Sequence, residues 1–294
     1  MKSPFGVLNL NKPAGMTSRR AVDLVQRLAW RTKCGHAGTL DPLASGVLVV
    51  CVGPATRLIE YVQRMPKSYL GTFLLGRQSP TEDVEGDVTE LERAPVPSAD
   101  QIAAGAKALT GRIEQRPPAY SALKVEGKRA YALARAGRPV ELKPRSVEVY
   151  RLDVVAYDYP ELRLRIECGS GTYVRSLGRD LAESLGTGAV MSELVRTAIG
   201  PFALDEAVDP RQLTREGWTA HLRPPTRAVE RLPRLVLTGE EVARIQAGQA
   251  IARQAPAPNS PEVAALDSAG RLVAILVPRG GGLLGPARNF PRND

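Results

Sequence analysis

The chain has 294 residues, about twice the usual domain length of roughly 150, which favours one large domain with an appendage, or two domains. At 43% hydrophobic and 24% charged, with mean hydropathy −0.17, the composition excludes a disordered or collagen-like chain. Forty basic against thirty-one acidic side chains leave +9 and a pI of 9.7, which suits a polyanionic partner but equally a well-solvated surface.

The longest apolar run, Val47 to Val52, is far short of the ~18 residues of a membrane span, so no membrane association is expected. The opening MKSPFGVLNLNKPAG meets Asn and Lys before a signal-like core forms, and the expected location is cytoplasmic. Cys34, Cys51 and Cys168 are odd in number and widely spaced, which fits neither a disulfide framework nor a zinc knuckle. His36 and His221 lie far apart, so no metal site is expected.

Along the chain, Ala21, Val22, Val25, Leu28 and Ala29 recur at helical spacing and predict a helix over about 18–30, with Ser18 as its N-cap. Residues 35–46, GHAGTLDPLASG, form a loop that runs into GVLVVCV, a strand buried on both faces. Ser68 to Leu75 is a further strand, and 76–97, rich in acid, Pro and Gly, an exposed connection or hairpin. Ser98 and Gln101 have capping-box spacing ahead of a helix that ends near Gly111.

Residues 112–145 are rich in Lys and Arg, with three Glu and two Tyr, and read as a basic excursion from the core. Val147, Val149, Leu152 and Val154 predict a strand with one irregularity, and Leu162 to Cys168 alternate as a half-buried antiparallel strand does. A helix of about 173–185 follows. The Pro- and Arg-rich stretch 222–233 is the best domain boundary. Beyond it, a capping box at Thr238 and Glu241, a stop at Gly248 and an apolar strand over 271–277 make a small α+β unit, too short to be an enzyme alone.

The loop 35–46 is where chemistry concentrates, because three glycines, a Pro, a His and an Asp at a strand edge present Asp41 rigidly. Asp41-Pro42 reads equally as an N-cap with Pro at the first helical position. Motifs for nucleoside triphosphates, dinucleotides, serine hydrolysis and zinc proteolysis are all missing.

GHAGTLDPLASG resembles the catalytic motif of the TruB family of tRNA pseudouridine synthases, and four further blocks match in order. These are Asn11-Lys12-Pro13 with Gly15-Met-Thr-Ser18, Lys67-Ser-Tyr69, Pro118-Ala-Tyr-Ser-Ala-Leu-Lys124 with Gly127 and Tyr131, and Gly171-Thr-Tyr-Val-Arg175. The resemblance covers about residues 5–200 and implies an α+β fold with a mixed, largely antiparallel sheet flanked by helices. It implies a catalytic domain over 1–228, in which 112–145 is an RNA-clasping insertion, and a small PUA-like RNA-binding domain over 234–294, inferred mainly from position and length. The implied reaction turns uridine into pseudouridine at position 55 in the T arm of tRNA, by base flipping and aspartate catalysis without cofactor.

The same resemblance implies the roles. Asp41 is the catalytic aspartate and Arg175 the active-site arginine, the cation that a buried carboxylate calls for. Tyr69 stacks on the uracil and helps move the C5 proton, while Tyr173 is an aromatic wall of the pocket. His36 contacts RNA around the flipped base, Leu194, nineteen residues past Arg175, forms the pocket floor, and Lys12 supports that floor. Arg112, Arg116, Lys124, Lys128, Arg129, Arg135 and Arg138 are candidate phosphate contacts on a segment that Gly111, Gly127 and Gly137 let move and that orders on RNA. One departure stands at Ser79-Pro80-Thr81, where the family commonly carries Thr-Asp-Thr. Two other readings remain, an RNA-folding factor and a guide-RNA-dependent synthase subunit, whereas the leading one expects a monomer without an obligatory protein partner.

Overall fold

The computed structural model describes residues 4–121, 123–125, 127–137, 142–253 and 260–291, without the side chains at 124, 125, 128, 129, 131, 132 and 135. The chain opens with β1 (Gly6–Lys12), α1 (Ser18–Leu28), β2 (Cys34–His36), β3 (Ser45–Val52), α2 (Ile59–Arg64) and β4 (Lys67–Leu75). A short ribbon of β5 (Arg77–Gln78) and β6 (Thr89–Glu90) leads to α3 (Ala99–Ala108) and β7 (Gly111–Gln115). The basic segment holds a hairpin of β8 (Lys124–Val125) and β9 (Lys128–Arg129), then α4 (Ala130–Arg135). Next come β10 (Arg145–Asp158), β11 (Glu161–Cys168), α5 (Val174–Ser184), β12 (Ala189–Ile199) and β13 (Phe202–Ala203). The C-terminal unit consists of β14 (Arg234–Val236), α6 (Gly239–Gln246), β15 (Ile251–Ala252), β16 (Val263–Leu266), β17 (Leu272–Gly280) and β18 (Leu283–Asn289).

The main sheet has nine strands in the order β1-β3-β12-β4-β11-β10-β7, with β2 on β3 and β13 on β12. Only β3 and β12 run parallel. The continuous apolar run of β3 is explained by what lies on either face. Val47, Val49 and Cys51 join one cluster, beneath α2 and the C-terminal sheet, and Leu48, Val50 and Val52 join the other, beneath α1. At the other end of the sheet, α3 and α5 cover Tyr69, Phe73, Leu164 and Ile166.

The strand of GVLVVCV, both capping boxes, and the alternation in β11 stand as the sequence predicts. Other elements differ. Thr17, not Ser18, caps α1, which frees the Ser18 hydroxyl to bond both the N–H and the C=O of Leu40 at 2.8 and 2.9 Å. β10 carries two register shifts instead of one. Residues 111–115 are not part of an excursion but the edge strand β7, whose register against β10 is backbone-driven and which no apolar run announces. The 76–97 connection forms the expected ribbon, yet it also buries Asp83.

The second sheet, β14-β16-β17-β18-β15, packs on the first through a shared cluster that includes Ala55, Tyr61, Ala228, Leu272 and Phe290. Phe5 stacks on Phe290 at 5.5 Å, and Arg288 bonds the Glu60 carboxylate and the Arg57 carbonyl across the seam. No helix among the described residues is long and apolar enough to cross a membrane.

Candidate active site

A cavity of about 320 Å³ opens where the loop before β3, the start of β4, the second half of β12 and the start of α5 converge. That size lies within the range of roughly 300–1,000 Å³ typical of small-molecule sites. Asp41, Tyr69, Tyr173, Arg175 and Leu194 line it together, although they come from four separate parts of the sequence.

Asp41 sits in an irregular loop, not at a helix start, so its reading as an N-cap is not realised. The carboxylate is 38% exposed and its Oδ2 is 3.1 Å from Nε of Arg175. Arg175 stands in the first turn of α5 and is itself 8% exposed. Its guanidinium is held at all three nitrogens: Nη1 meets Oδ2 of Asp83 at 3.3 Å and donates to the Thr81 carbonyl at 2.5 Å, and Nη2 donates to the Tyr120 carbonyl at 3.2 Å. One planar cation thus bridges an accessible carboxylate and a buried one. The Asp83 side chain is 4% exposed and takes further hydrogen bonds from the Thr81 hydroxyl and the Glu85 N–H, at 2.6 and 3.2 Å. Behind it, Glu82 pairs with Arg179 and accepts from the Ser176 hydroxyl. Burial pushes the Glu82 carboxyl up, with the Arg179 charge opposing it.

Tyr69 is 8% exposed, and burial raises its hydroxyl above the ordinary tyrosine value, so the phenol keeps its proton at neutral pH. Across the β4–β12 ladder its partner is Arg196, while Leu194 pairs with Gly71 two residues on, so that Leu194 and Arg196 face the cavity together. Tyr173 caps α5, and its backbone is gripped on both sides by Gln115, which donates to its carbonyl at 3.1 Å and accepts from its N–H at 2.8 Å.

Lys12 and His36 do not line the cavity. Lys12 is fully buried beneath the loop, donating to the carbonyls of Pro13, Met16 and Pro42 at 3.0, 2.6 and 3.4 Å, which ties the residue after Asp41 to the turn after β1. Burial and the Arg196 charge lower its ammonium to about 8. His36 lies half-buried on β2, its pKa lowered by burial and by Arg196, with no partner for Nδ1 among the described residues.

Sequence reasoning missed Arg196, Asp83, Lys67 and Gln115. Arg196 is 2% exposed and no carboxylate pairs with it among the described residues; it donates to the carbonyls of Val47, Thr39 and Gly38 at 2.7, 3.3 and 3.1 Å. Gly46 faces it so closely that a Cβ there would lie 2.2 Å from the Arg196 carbonyl oxygen. Lys67 donates to the Gln63 carbonyl, and burial lowers it to about 8. The available signal was Lys67-Ser-Tyr69, where alternation turns Lys67 and Tyr69 to the same face of β4.

Among the candidate phosphate contacts, Arg112 lies on β7 and bonds the Ser146 hydroxyl at 2.7 Å. Arg116 is half exposed, 3.9 Å from Glu183. The side chains of Lys124, Lys128, Arg129 and Arg135, and the whole of Arg138, lie outside the described residues, and so does the expectation attached to them. Among the described residues no cluster of His, Cys, Asp and Glu is arranged to hold a metal ion.

The model of the TruB family pseudouridylate synthase N-terminal domain matches residues 26–174, and that of the tRNA pseudouridylate synthase B C-terminal domain matches 175–242. A protein of Dehalococcoides mccartyi named tRNA pseudouridine synthase B is 41% identical over 290 residues, 97% of this chain and 96% of the relative. One of the same name from Thermobifida fusca is 42% identical over 286 residues, covering 94% of this chain and 95% of the relative. Among solved structures, a chain of a Cbf5-Nop10-Gar1 complex superposes with a TM-score of 0.70 at 30% identity, over 93% of this chain and 78% of that one. A chain of an H/ACA RNP bound to a substrate RNA containing 2'-deoxyuridine gives 0.74 at 26% identity, over 99% and 86%. With an α+β fold shared with these neighbours and the two family models matched in succession over residues 26–242, the chain belongs to the TruB family and is a pseudouridine synthase, an isomerase.

Proposed function

We propose that this enzyme acts on tRNA, isomerising the uridine at position 55 of the T arm after that nucleotide swings out of its loop into the cavity beside Asp41. The single observation that carries the reading is an accessible carboxylate fixed at 3.1 Å from a guanidinium that Asp83 and the carbonyls of Thr81 and Tyr120 hold from the other side. Arg175 has no freedom to follow the substrate, so Asp41 is held in one place as the base arrives.

Asp41 then works against C1′, as nucleophile or as counter-charge to the sugar, while the N1–C1′ bond breaks. The uracil turns, C5 bonds to C1′, and the proton that C5 loses is balanced by one gained at N1. The ring of Tyr69 offers a stacking face and its protonated hydroxyl a hydrogen-bond donor in the dry part of the cavity, with Leu194 below and Tyr173 at the side. No cofactor enters this scheme. Unstacking the target costs a few kcal/mol, and the Lys- and Arg-rich segment 116–145 and the C-terminal unit, which we read as PUA-like, supply RNA contacts that offset it.

The test is Asp41→Asn, which preserves shape and removes the charge. Release of tritium from C5-labelled uridine in a T-arm stem-loop is expected to vanish while RNA affinity stays within a few-fold; undiminished release sinks the assignment. The stand-alone reading, a monomer that binds its RNA unaided, is favoured over a guide-RNA-dependent subunit because full-length relatives at about 41% identity bear the tRNA enzyme's name. Activity of the purified chain alone on the bare stem-loop checks it.

A further inference from the structure

The exposed face of α1 and the turn behind it are not absorbed by this mechanism. Trp30 is 74% exposed, the largest exposure recorded for a bulky apolar side chain among the described residues. The Arg31 guanidinium lies 5.8 Å from its ring centroid. Along α1 and the turn after it stand Arg20, Arg27, Arg31 and Lys33, all exposed, and no carboxylate pairs with any of them among the described residues. The neighbouring Arg19 is matched by Asp23 at 2.8 Å. Arg20 and Arg27, seven residues apart, share one helix face. An apolar ring left in water within a cluster of unmatched cations has no folding rationale, whereas aromatic rings interleaved with Arg and Lys are how proteins take unpaired nucleotides and their phosphates.

The position of the strip is set by the cleft. Ser18 pins the start of α1 to Leu40, immediately before Asp41, and Lys33 leads directly into β2. Residues 38–41 line the cavity, and the Ser18–Leu40 hydrogen bonds join the start of α1 to them. The eleven residues of α1 span about 16 Å, and a nucleic-acid duplex presents a phosphate every ~1.7 Å of its axis. The strip thus runs from the edge of the cleft to the far end of α1, a reach past which several phosphates can lie.

We propose that Arg20, Arg27, Trp30, Arg31 and Lys33 form a second contact for the substrate tRNA, holding phosphates outside the T-arm hairpin and stacking an unpaired base on Trp30. The proposal rests on the tRNA reading above. It is tested by comparing full-length unmodified tRNA with the isolated stem-loop, using Trp30→Ala and the double variant Arg27→Gln/Arg31→Gln, with KM, kcat and binding affinity read for each. All three side chains are exposed, so the variants keep the wild-type melting temperature.

The expected result is an affinity for full-length tRNA lowered roughly five-fold or more, a shallower dependence of binding on salt, an unchanged kcat at saturation, and unchanged parameters on the stem-loop. Equal losses on both RNAs place the strip under the hairpin and overturn the assignment. No loss on either overturns RNA binding here and leaves the patch to a protein partner. A wild-type enzyme inactive on both RNAs is a different failure, that of the tRNA reading itself.

Discussion

The cleft and the C-terminal unit bury very different things. Around the cavity, Lys12, Lys67, Asp83, Arg175 and Arg196 are all less than one-tenth exposed. The C-terminal cluster of Leu237, Val242, Ile245, Ile251, Val263, Val273 and Leu276 is hydrocarbon, and the buried charge in that unit, Asp267, is spent on its own turn, accepting from the N–H groups of Ala269 and Arg271. Buried charge costs several kcal/mol per ion before its partners offset it, so only one of the two cores, that of the C-terminal unit, is built for stability alone. The other accepts that cost to fix charged groups in space.

The largest effect that sharpens this contrast is expected from Tyr69→Phe, which keeps the ring and removes the hydroxyl. Turnover should fall by about a hundredfold or more with RNA affinity within a few-fold, read by tritium release and by filter binding. Asp83→Ala comes next. It leaves Arg175 partly unmatched inside the protein, and we expect turnover down on the order of a hundredfold together with a loss of about 3 kcal/mol in denaturant unfolding. Full activity in that variant would mean that the buried carboxylate does not hold the arginine in place.

Lys12→Met tests the cost of a buried cation through pH. The folded-state pKa of about 8 lies below the ordinary lysine value of 10.5, so folding carries the full penalty below about 8 and is relieved of it as pH rises towards 10.5. Stability of wild type minus that of Lys12→Met should therefore increase across this window. The subtraction is needed because the half-buried thiol of Cys34 and the buried thiols of Cys51 and Cys168, pushed up to about 11, 12 and 11, pull the other way as unfolded thiols ionise. A flat difference would show that Lys12 carries no such penalty. Smallest of all is Arg288→Ala at the seam, where both partners are partly exposed, and a loss below about 1 kcal/mol with unaltered turnover is expected from thermal melts. A loss there as large as that of Asp83→Ala would erase the distinction between the two regions.

Sequence periodicity was enough for α1, α3, α5, α6, β3 and β11, because each packs one repeating face or is walled by apolar residues on both. It failed for β1, where Asn and Lys interrupt the pattern, and for β7, whose sequence GRIEQ carries a single aliphatic residue. In the site, Asp41, Tyr69, Tyr173, Arg175 and Leu194 were legible because motif and resemblance marked them. Asp83 was hidden in a stretch whose acid, Pro and Gly content reads as solvent-exposed, and Arg196 in a strand where an arginine reads as outward-facing. Both are buried because a partner far along the chain satisfies them: Arg175 for the one, carbonyls of residues 38, 39 and 47 for the other. Such long-range pairing leaves no local trace.

Arg196 grips the stretch ahead of Asp41 by main-chain oxygens and touches none of its side chains through hydrogen bonds. What this clamp preserves is a path, not a spelling. Gly38, at φ 123°, is bound to its place by conformation, whereas Thr39 is exposed and lines the cavity, so an exchange there keeps the course of the chain and alters what the cavity offers its occupant.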